Sequence, residues 1–222
     1  MPTQLLNDDG TASMATAIMS SHFALLRDLG CFERAVTEIL AGDLTRVAPV
    51  RDEWTQFHAA LHGHHTAEDT GLFPGLRAQH QDLAPALDKL DAQHRAIDPL
   101  LADGDRLFVE LAGQAEAALV LVRALQQHLR EHLADEERAV IAHLREAKQF
   151  PVPPTDEAFE LYAGGFAWST AGLAASVTEP LFAMLPPGLR DRLPAAQDAF
   201  TARCRKVWGY EHAACAVTSV PA

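Results

Sequence analysis

Paired histidine and glutamate residues recur on the apolar faces of two predicted helices, and this feature constrains the fold most strongly. His64-x-x-x-Glu68 and His132-x-x-x-Glu136 are both followed by apolar residues at matching positions. Residues four apart lie one turn apart on the same face of a helix. Because an unpaired carboxylate on an apolar face is costly, the repeat predicts that a cation lies between the helices.

Apolar residues at alternating steps of three and four predict four long helices. We expect them over residues 13–40, 50–76, 85–111 and 114–148, with Pro74 ending or kinking the second and Asp98-Pro99 interrupting the third. His22 and His94 lie on the apolar stripes of the first and third helices. Short connections between long helices predict an all-α, up-down-up-down antiparallel four-helix bundle.

The composition changes at residue 150, where Pro151-Val152-Pro153-Pro154 forms a stiff linker. We therefore divide the chain into a bundle over residues 1–149 and a C-terminal extension of short helices over 150–222, packed on the bundle. The clearest helix of the extension runs from Pro194 to Trp208. Residues 161–178 carry no charge, but their many small side chains favour packing against protein over a membrane span.

Charge and cysteine content exclude several classes of protein. The formal net charge of −12 argues against a nucleic-acid partner, because phosphates would be repelled. Cys31, Cys204 and Cys215 show no spacing typical of a disulfide framework or a zinc–thiolate site. The first residues lack the basic and apolar regions of a secretory signal. We expect a cytoplasmic protein without a membrane partner.

The donor set favours two metal ions. Four imidazoles and two carboxylates exceed what one tetrahedral zinc with an open position needs, and they suit iron, manganese or zinc. Two ions, each with two histidines and bridged by Glu68 and Glu136, would keep positions open for O₂, H₂O₂ or NO. The full predicted ligand set is His22, His64, Glu68, His94, His132 and Glu136.

The order of these ligands, with Leu72-Phe73-Pro74 after the first pair, resembles the haemerythrin-like (HHE cation-binding) family over residues 13–148. The resemblance implies a four-helix bundle that binds two iron ions, oxo- or hydroxo-bridged, through these six residues. Manganese is an alternative metal. The chain after residue 150 is similar to the C-terminal extension of larger members of the family.

The chain departs from the oxygen-carrying haemerythrins in two places. Those proteins have His-x-x-x-His on the third helix and a bridging aspartate five residues after the fourth-helix histidine. This chain has His94-x-x-x-Asp98 and His132-x-x-x-Glu136 instead. With one imidazole fewer, one metal would be less saturated, which favours catalysis over reversible O₂ carriage.

Several assignments have alternatives. His64 is preferred to its neighbour His65 as a ligand, because His64 aligns with His132; His65 is then a neighbour of the site or a surface residue. His128 and Asp98 are further candidate ligands, and Asp69 and Glu137 are candidate hydrogen-bond acceptors for ligand imidazoles. The remaining histidines are expected to be exposed: His58, His62, His80, His143 and His212.

The leading functional hypothesis is a di-iron oxidoreductase, catalase- or peroxidase-like, that reacts with H₂O₂, NO or O₂. The electron donor is unknown. The first alternative is a non-catalytic protein that binds, stores or senses O₂, NO or iron. The second is a di-iron oxidase with a flavin or deazaflavin reductant, although the sequence has no glycine-rich loop that would bind its phosphates.

Overall fold

A computed structural model describes residues 4–209 of the chain, and their regular structure is entirely helical. The all-α prediction is therefore confirmed, while the up-down order of the long helices stays a prediction. Contacts divide the chain into two units: the first comprises residues up to 27 and from 140 onward, and the second residues 28–139. The helices are α1 Met14–Leu40, α2 Val47–Ala67, α3 Phe73–Gln79, α4 Ala84–Val109, α5 Leu111–Leu144, α6 Asp156–Thr170, α7 Ala175–Ala183, α8 Pro187–Arg190 and α9 Leu193–Trp208.

The first helix has the predicted limits. Ser13 precedes it, and the Ser13 backbone N–H donates to Thr16 Oγ1 at 3.1 Å, which satisfies a donor at the helix start. The helix ends before Gly42, whose φ of 107° is accessible mainly to glycine.

The second predicted helix is interrupted earlier than expected. It consists of α2, a π-helical turn over Glu68–Leu72, and α3. Pro74 has no N–H and cannot donate to the carbonyl of Thr70, which loosens the regular α-helical pattern before it. A π turn contains an additional residue, so the side chains before and after it change their angular relation.

The third and fourth predicted helices differ from expectation at two points and agree with it at a third. Helix α4 continues through Asp98 and Pro99, so the predicted interruption is wrong; Pro99 lies on the exposed side, where the missing hydrogen bond is tolerated. The break expected between residues 111 and 114 is present as a kink, with non-helical φ and ψ at Gln114. Helix α5 ends at Leu144 rather than at Lys148.

Aromatic side chains form the core of the second unit. Trp54 on α2 stacks on Phe108 of α4 at a centroid distance of 4.3 Å, and both pack edge-on against Phe32 of α1. The Trp54 ring lies over Gly104, where a Cβ atom would approach Trp54 Cζ2 to 2.0 Å. Glycine at this position therefore allows α2 and α4 to pack closely through the tryptophan.

The first unit contains the four C-terminal helices. Phe166 of α6, Leu181 of α7, Leu189 of α8 and Leu193 of α9 share one apolar cluster. Helix α9 confirms the helix predicted to end at Trp208. The domain boundary at residue 149 stays a prediction.

The uncharged stretch over residues 161–178 is divided between α6 and α7. Among residues 4–209, no helix combines the length and apolarity that a membrane crossing needs. His212 and Cys215 lie outside the described residues.

Candidate metal centre

The centre is built around the end of α2, where the π turn begins. The Phe73 backbone N–H donates to the carbonyl of Glu68, five residues earlier, which is the hydrogen-bond spacing of a π turn. Turns of this kind are frequent at functional sites. Here the turn begins at Glu68, one of the predicted ligands.

Three imidazoles form a first donor cluster, which consists of His65 on α2, His94 on α4 and His132 on α5. One nitrogen from each ring lies within 4.8 Å of the others. The rings of His65 and His94 stack at a centroid distance of 4.0 Å, and that of His132 stands edge-on to both. All three residues are at least 95 % buried.

Two polar side chains orient the rings of this cluster. His94 Nδ1 lies 2.8 Å from Asp69 Oδ1, and His132 Nδ1 lies 3.2 Å from Gln93 Oε1. The Gln93 amide is fixed because its Nε2 donates to Asp135. Since a carboxylate and an amide oxygen only accept, both Nδ1 atoms carry a proton and donate it.

The remaining ring nitrogens face each other. His94 Nε2 and His132 Nε2 are 3.1 Å apart, and in neutral rings with protonated Nδ1 atoms both present lone pairs. Two lone pairs at this distance repel each other unless a proton on one ring or a metal ion lies between them. Cis ligands that bind one ion at ~2.1 Å lie about 3.0 Å apart, so the spacing suits a shared metal.

The protonation of the cluster agrees with this interpretation. Burial, with repulsion from the neighbouring imidazoles, lowers the pKa of His65 to about 2. Its ring is therefore neutral, and its buried Nε2 has no hydrogen-bond partner among the described residues. Burial also acts to lower the pKa of His94, but hydrogen bonds to Glu68 and Asp69 outweigh it, and the net shift is upward. That upward shift indicates a local preference for positive charge.

A second donor cluster comprises His64, Glu68 and Glu136, again with ligand atoms within 4.8 Å of one another. Glu136 is fully buried and Glu68 is 3 % exposed. Glu68 Oε1 lies 3.0 Å from His64 Nε2, whereas Glu68 Oε2 lies 3.4 Å from His94 Nε2 in the first cluster. One carboxylate thus directs an oxygen toward each cluster, as a carboxylate that bridges two ions would.

Five of the six predicted ligands belong to the second unit, where they lie in these two clusters. His22, the sixth, is buried on α1 in the first unit, and its role as a ligand stays a prediction. His128 is exposed and belongs to neither cluster. Asp69 contacts a cluster imidazole, as expected of a hydrogen-bond acceptor.

For His65, the surface alternative of the sequence interpretation is wrong. His65 was expected beside the site or at the surface, but it is 5 % exposed and belongs to the first cluster. The sequence contains a relevant pattern, since Leu61 and His65 are four apart on the buried face of α2. The choice of one histidine assumed that α2 has a single inward face, whereas His64 and His65 serve different clusters.

A polar cavity of ≈ 320 Å³, here called the inner cavity, adjoins the first cluster. Its wall includes the ligand candidates His65 and His94. Asp98, a candidate ligand in the sequence, lines this cavity instead of joining a cluster. The other lining residues are His62, Thr66, Asp69, Asp91 and Arg95.

Comparison with protein families identifies this class of protein. The model of the hemerythrin HHE cation binding domain matches residues 13–144, which include all six predicted ligands. The chain therefore belongs to the haemerythrin HHE cation-binding family, and its His and Glu clusters are compatible with a metal site. No curated protein and no solved structure matches the chain.

Proposed function

We propose that this protein is a di-iron oxidoreductase that reacts with hydrogen peroxide or a similarly small oxidant. The observation that carries the proposal is the pair of adjoining donor clusters, with the Glu68 carboxylate directed toward both. The proposed ligands are His65, His94 and His132 for one ion and His22 and His64 for the other, with Glu68 and Glu136 shared. Bound iron would supply reversible electron transfer, and mixed imidazole and carboxylate donors suit it.

The structure changes the expected number of imidazoles at the first metal position, and with it one argument for catalysis. The missing second histidine of the third helix suggested that one metal is less saturated. His65 supplies a third imidazole to the first cluster, so incomplete saturation no longer supports catalysis. The support comes instead from the cavity beside this cluster.

The inner cavity favours a polar oxidant. Thr66, Asp69, Asp98 and Arg95 provide hydrogen-bonding groups in its wall. Hydrogen peroxide both donates and accepts hydrogen bonds, whereas O₂ and NO bind such groups weakly. Disproportionation of two peroxide molecules to two waters and O₂ needs no external electron donor, so a catalase-like reaction can be tested with the protein alone.

The protein itself would position the oxidant and limit competing reactions. Phe73 stacks on the His94 ring at a centroid distance of 5.7 Å and is 1 % exposed, so it closes the apolar side of the cluster. Asp69 holds the His94 ring through Nδ1 and keeps Nε2 available. The oxidant would thus approach through the polar wall, where Asp69 and Thr66 can accept or donate a hydrogen bond.

The experiment combines metal content with turnover. The protein loaded anaerobically with Fe²⁺ should hold two ions per chain and release O₂ from H₂O₂. Glu68→Ala should hold one ion or none, and Glu68→Gln, which retains the size of the side chain, should behave similarly because a neutral amide bridges poorly. Exposed Glu146→Gln is the control and should retain both ions. Full occupancy in Glu68→Ala would refute the bridge, and a spectrum that reverses on deoxygenation without peroxide turnover would refute the enzyme.

A further inference from the structure

Three histidines follow one face of α2 toward the first donor cluster. His58, His62 and His65 are separated by four and three residues, which places them on adjacent turns of the same face. His58 has a side-chain exposure of 31 %, His62 is exposed, and His65 is 5 % exposed. The rings of His58 and His62 have centroids 6.4 Å apart. The line therefore extends from solvent to the buried cluster.

Two cavities lie along this line and share His62. The inner cavity is bounded by His65 and His94 at its deep end. A second cavity of ≈ 450 Å³, here called the outer cavity, is lined by residues that include His58, Trp54 and Asp105. Because His62 belongs to both walls, the two cavities adjoin at this side chain.

Carboxylates exceed positive charges in the wall of the inner cavity. The inner cavity has three, Asp69, Asp91 and Asp98, against the single guanidinium of Arg95. Arg77 pairs with Asp91 at 2.7 Å, and Asp69 lies beside His94. Among the described residues, Asp98 is the carboxylate of this wall that forms no ion pair.

The outer cavity is lined by one carboxylate, Asp105, and one guanidinium, Arg51. Asp105 accepts from Trp54 Nε1 at 2.9 Å and lies at the same distance from His58 Nδ1. Arg51 also lines this cavity, but its guanidinium pairs with Asp52 at 2.7 Å. Both walls thus present imidazole and carboxylate groups to an entering solute.

The deep end of the route carries an independent sign of a ligand. His65 Nε2 is buried, has no hydrogen-bond partner among the described residues, and belongs to a side chain in the wall of the inner cavity. A buried polar atom without a partner is costly. A ligand that arrives through the cavity would satisfy it.

We propose that His58 and His62, with Asp105 and Asp98, form the route by which a divalent metal ion enters the protein and reaches His65. This inference rests on the proposed function, because it assumes that the first cluster holds a metal. A hydrated Fe²⁺ ion must lose its waters before burial, and bare burial of the charge would be prohibitive. Imidazole and carboxylate groups at successive positions replace those waters one step at a time.

The test measures metal uptake by the full-length, metal-free protein. Co²⁺ is the probe, because its binding to imidazole and carboxylate is visible in the absorption spectrum; anaerobic Fe²⁺ repeats the measurement. The variants are His62→Gln, the double variant His58→Gln/His62→Gln, and Asp98→Asn. The matched control is His128→Gln, an exposed histidine on α5 that lines neither cavity.

We expect the double variant to take up metal about 10-fold more slowly, because it lacks the two imidazoles that would replace waters of the hydrated ion. Asp98→Asn should slow uptake about 3-fold, and the wild-type rate should fall with added salt. The final metal content should be two ions per chain in every variant. His128→Gln should match the wild type in rate and in content.

Four results would overturn the route. Uptake by the double variant at the wild-type rate would exclude it directly. If the double variant takes up metal at the wild-type rate but turns over peroxide more slowly, the cavities serve the oxidant instead of the metal. A lower final metal content in His62→Gln would make His62 a permanent ligand. If the wild type itself fails to bind metal, both the proposed function and the route are refuted. This outcome differs from the other three results, in which the wild type still binds metal.

Discussion

Asp69 offers the sharpest quantitative test of the centre, since it contacts a proposed ligand without belonging to a cluster. Its Oδ1 lies 2.8 Å from His94 Nδ1, and its side chain is 43 % exposed. Removal of such a hydrogen-bond acceptor typically lowers metal affinity 10- to 100-fold. The partial exposure of Asp69 allows water to replace some of the interaction, so we expect the lower part of this range.

The chemistry of the substitution sets the expected order. Asp69→Ala removes the acceptor, and we expect the affinity for Co²⁺ or Fe²⁺ to fall roughly 10- to 30-fold. Asp69→Asn keeps a neutral acceptor, and neutral hydrogen bonds are about half as strong as charged ones, so the loss should be roughly 3- to 10-fold. Both variants should also lower the pKa of His94 in the metal-free protein, because a carboxylate that raises it is removed.

Competition with a chromophoric chelator measures the affinity, and NMR titration of the imidazole measures the pKa. Asp91→Asn is the control: it removes the same charge from the same cavity wall, but its carboxylate pairs with Arg77 and not with a ligand. Its equilibrium affinity should stay within about 2-fold of the wild type, because the partly buried carboxylate that is removed pairs with Arg77 and contacts no proposed ligand. An Asp69→Ala protein that binds metal as tightly as Asp91→Asn would refute the orienting role.

Two further predictions concern stability of the metal-free protein. Gly104→Ala places a Cβ atom 2.0 Å from Trp54 Cζ2. Overpacking should cost about 1–3 kcal/mol, and together with displacement of the Trp54–Asp105 hydrogen bond it should outweigh the gain in helix propensity. Gly63→Ala, where nothing lies within 4 Å, should stabilise the protein by about 0.5–1 kcal/mol. Urea unfolding compares the two, and equal effects would contradict the close packing. The pKa of His65 is lowered to about 2, so the unfolded chain binds a proton below its ordinary pKa of about 6.5 while the folded protein does not. The free energy of unfolding should therefore decrease as the pH is lowered below about 6.5, by up to about 1.4 kcal/mol per pH unit from this residue. His65→Gln should lose less stability between pH 6 and 5 than the wild type. Identical slopes would mean that His65 is charged in the folded state.

Local regularities explain why most of the fold was predictable. Apolar residues at helical spacing identified the long helices, and the start of α1 and the end of α9 agree with the sequence. The exceptions are Pro99 and Pro74. Proline removes one donor wherever it occurs, but whether a helix continues past it depends on how its neighbours pack, and α4 continues whereas α2 changes to a π turn.

The sequence likewise indicated most of the donor residues. Imidazole and carboxylate groups at helical spacing on an apolar face are costly to bury unless a cation compensates them, so their pattern pointed to a metal site. The partition of those donors was decided by the tertiary structure. The separate roles of His64 and His65, the two directions of the Glu68 carboxylate and the contact between Asp69 and His94 depend on where α4 and α5 approach the π turn. Adjacent residues on a helix point about 100° apart, so spacing along one helix leaves both His64 and His65 near the buried side. Which cluster each imidazole joins depends on where the neighbouring helices lie.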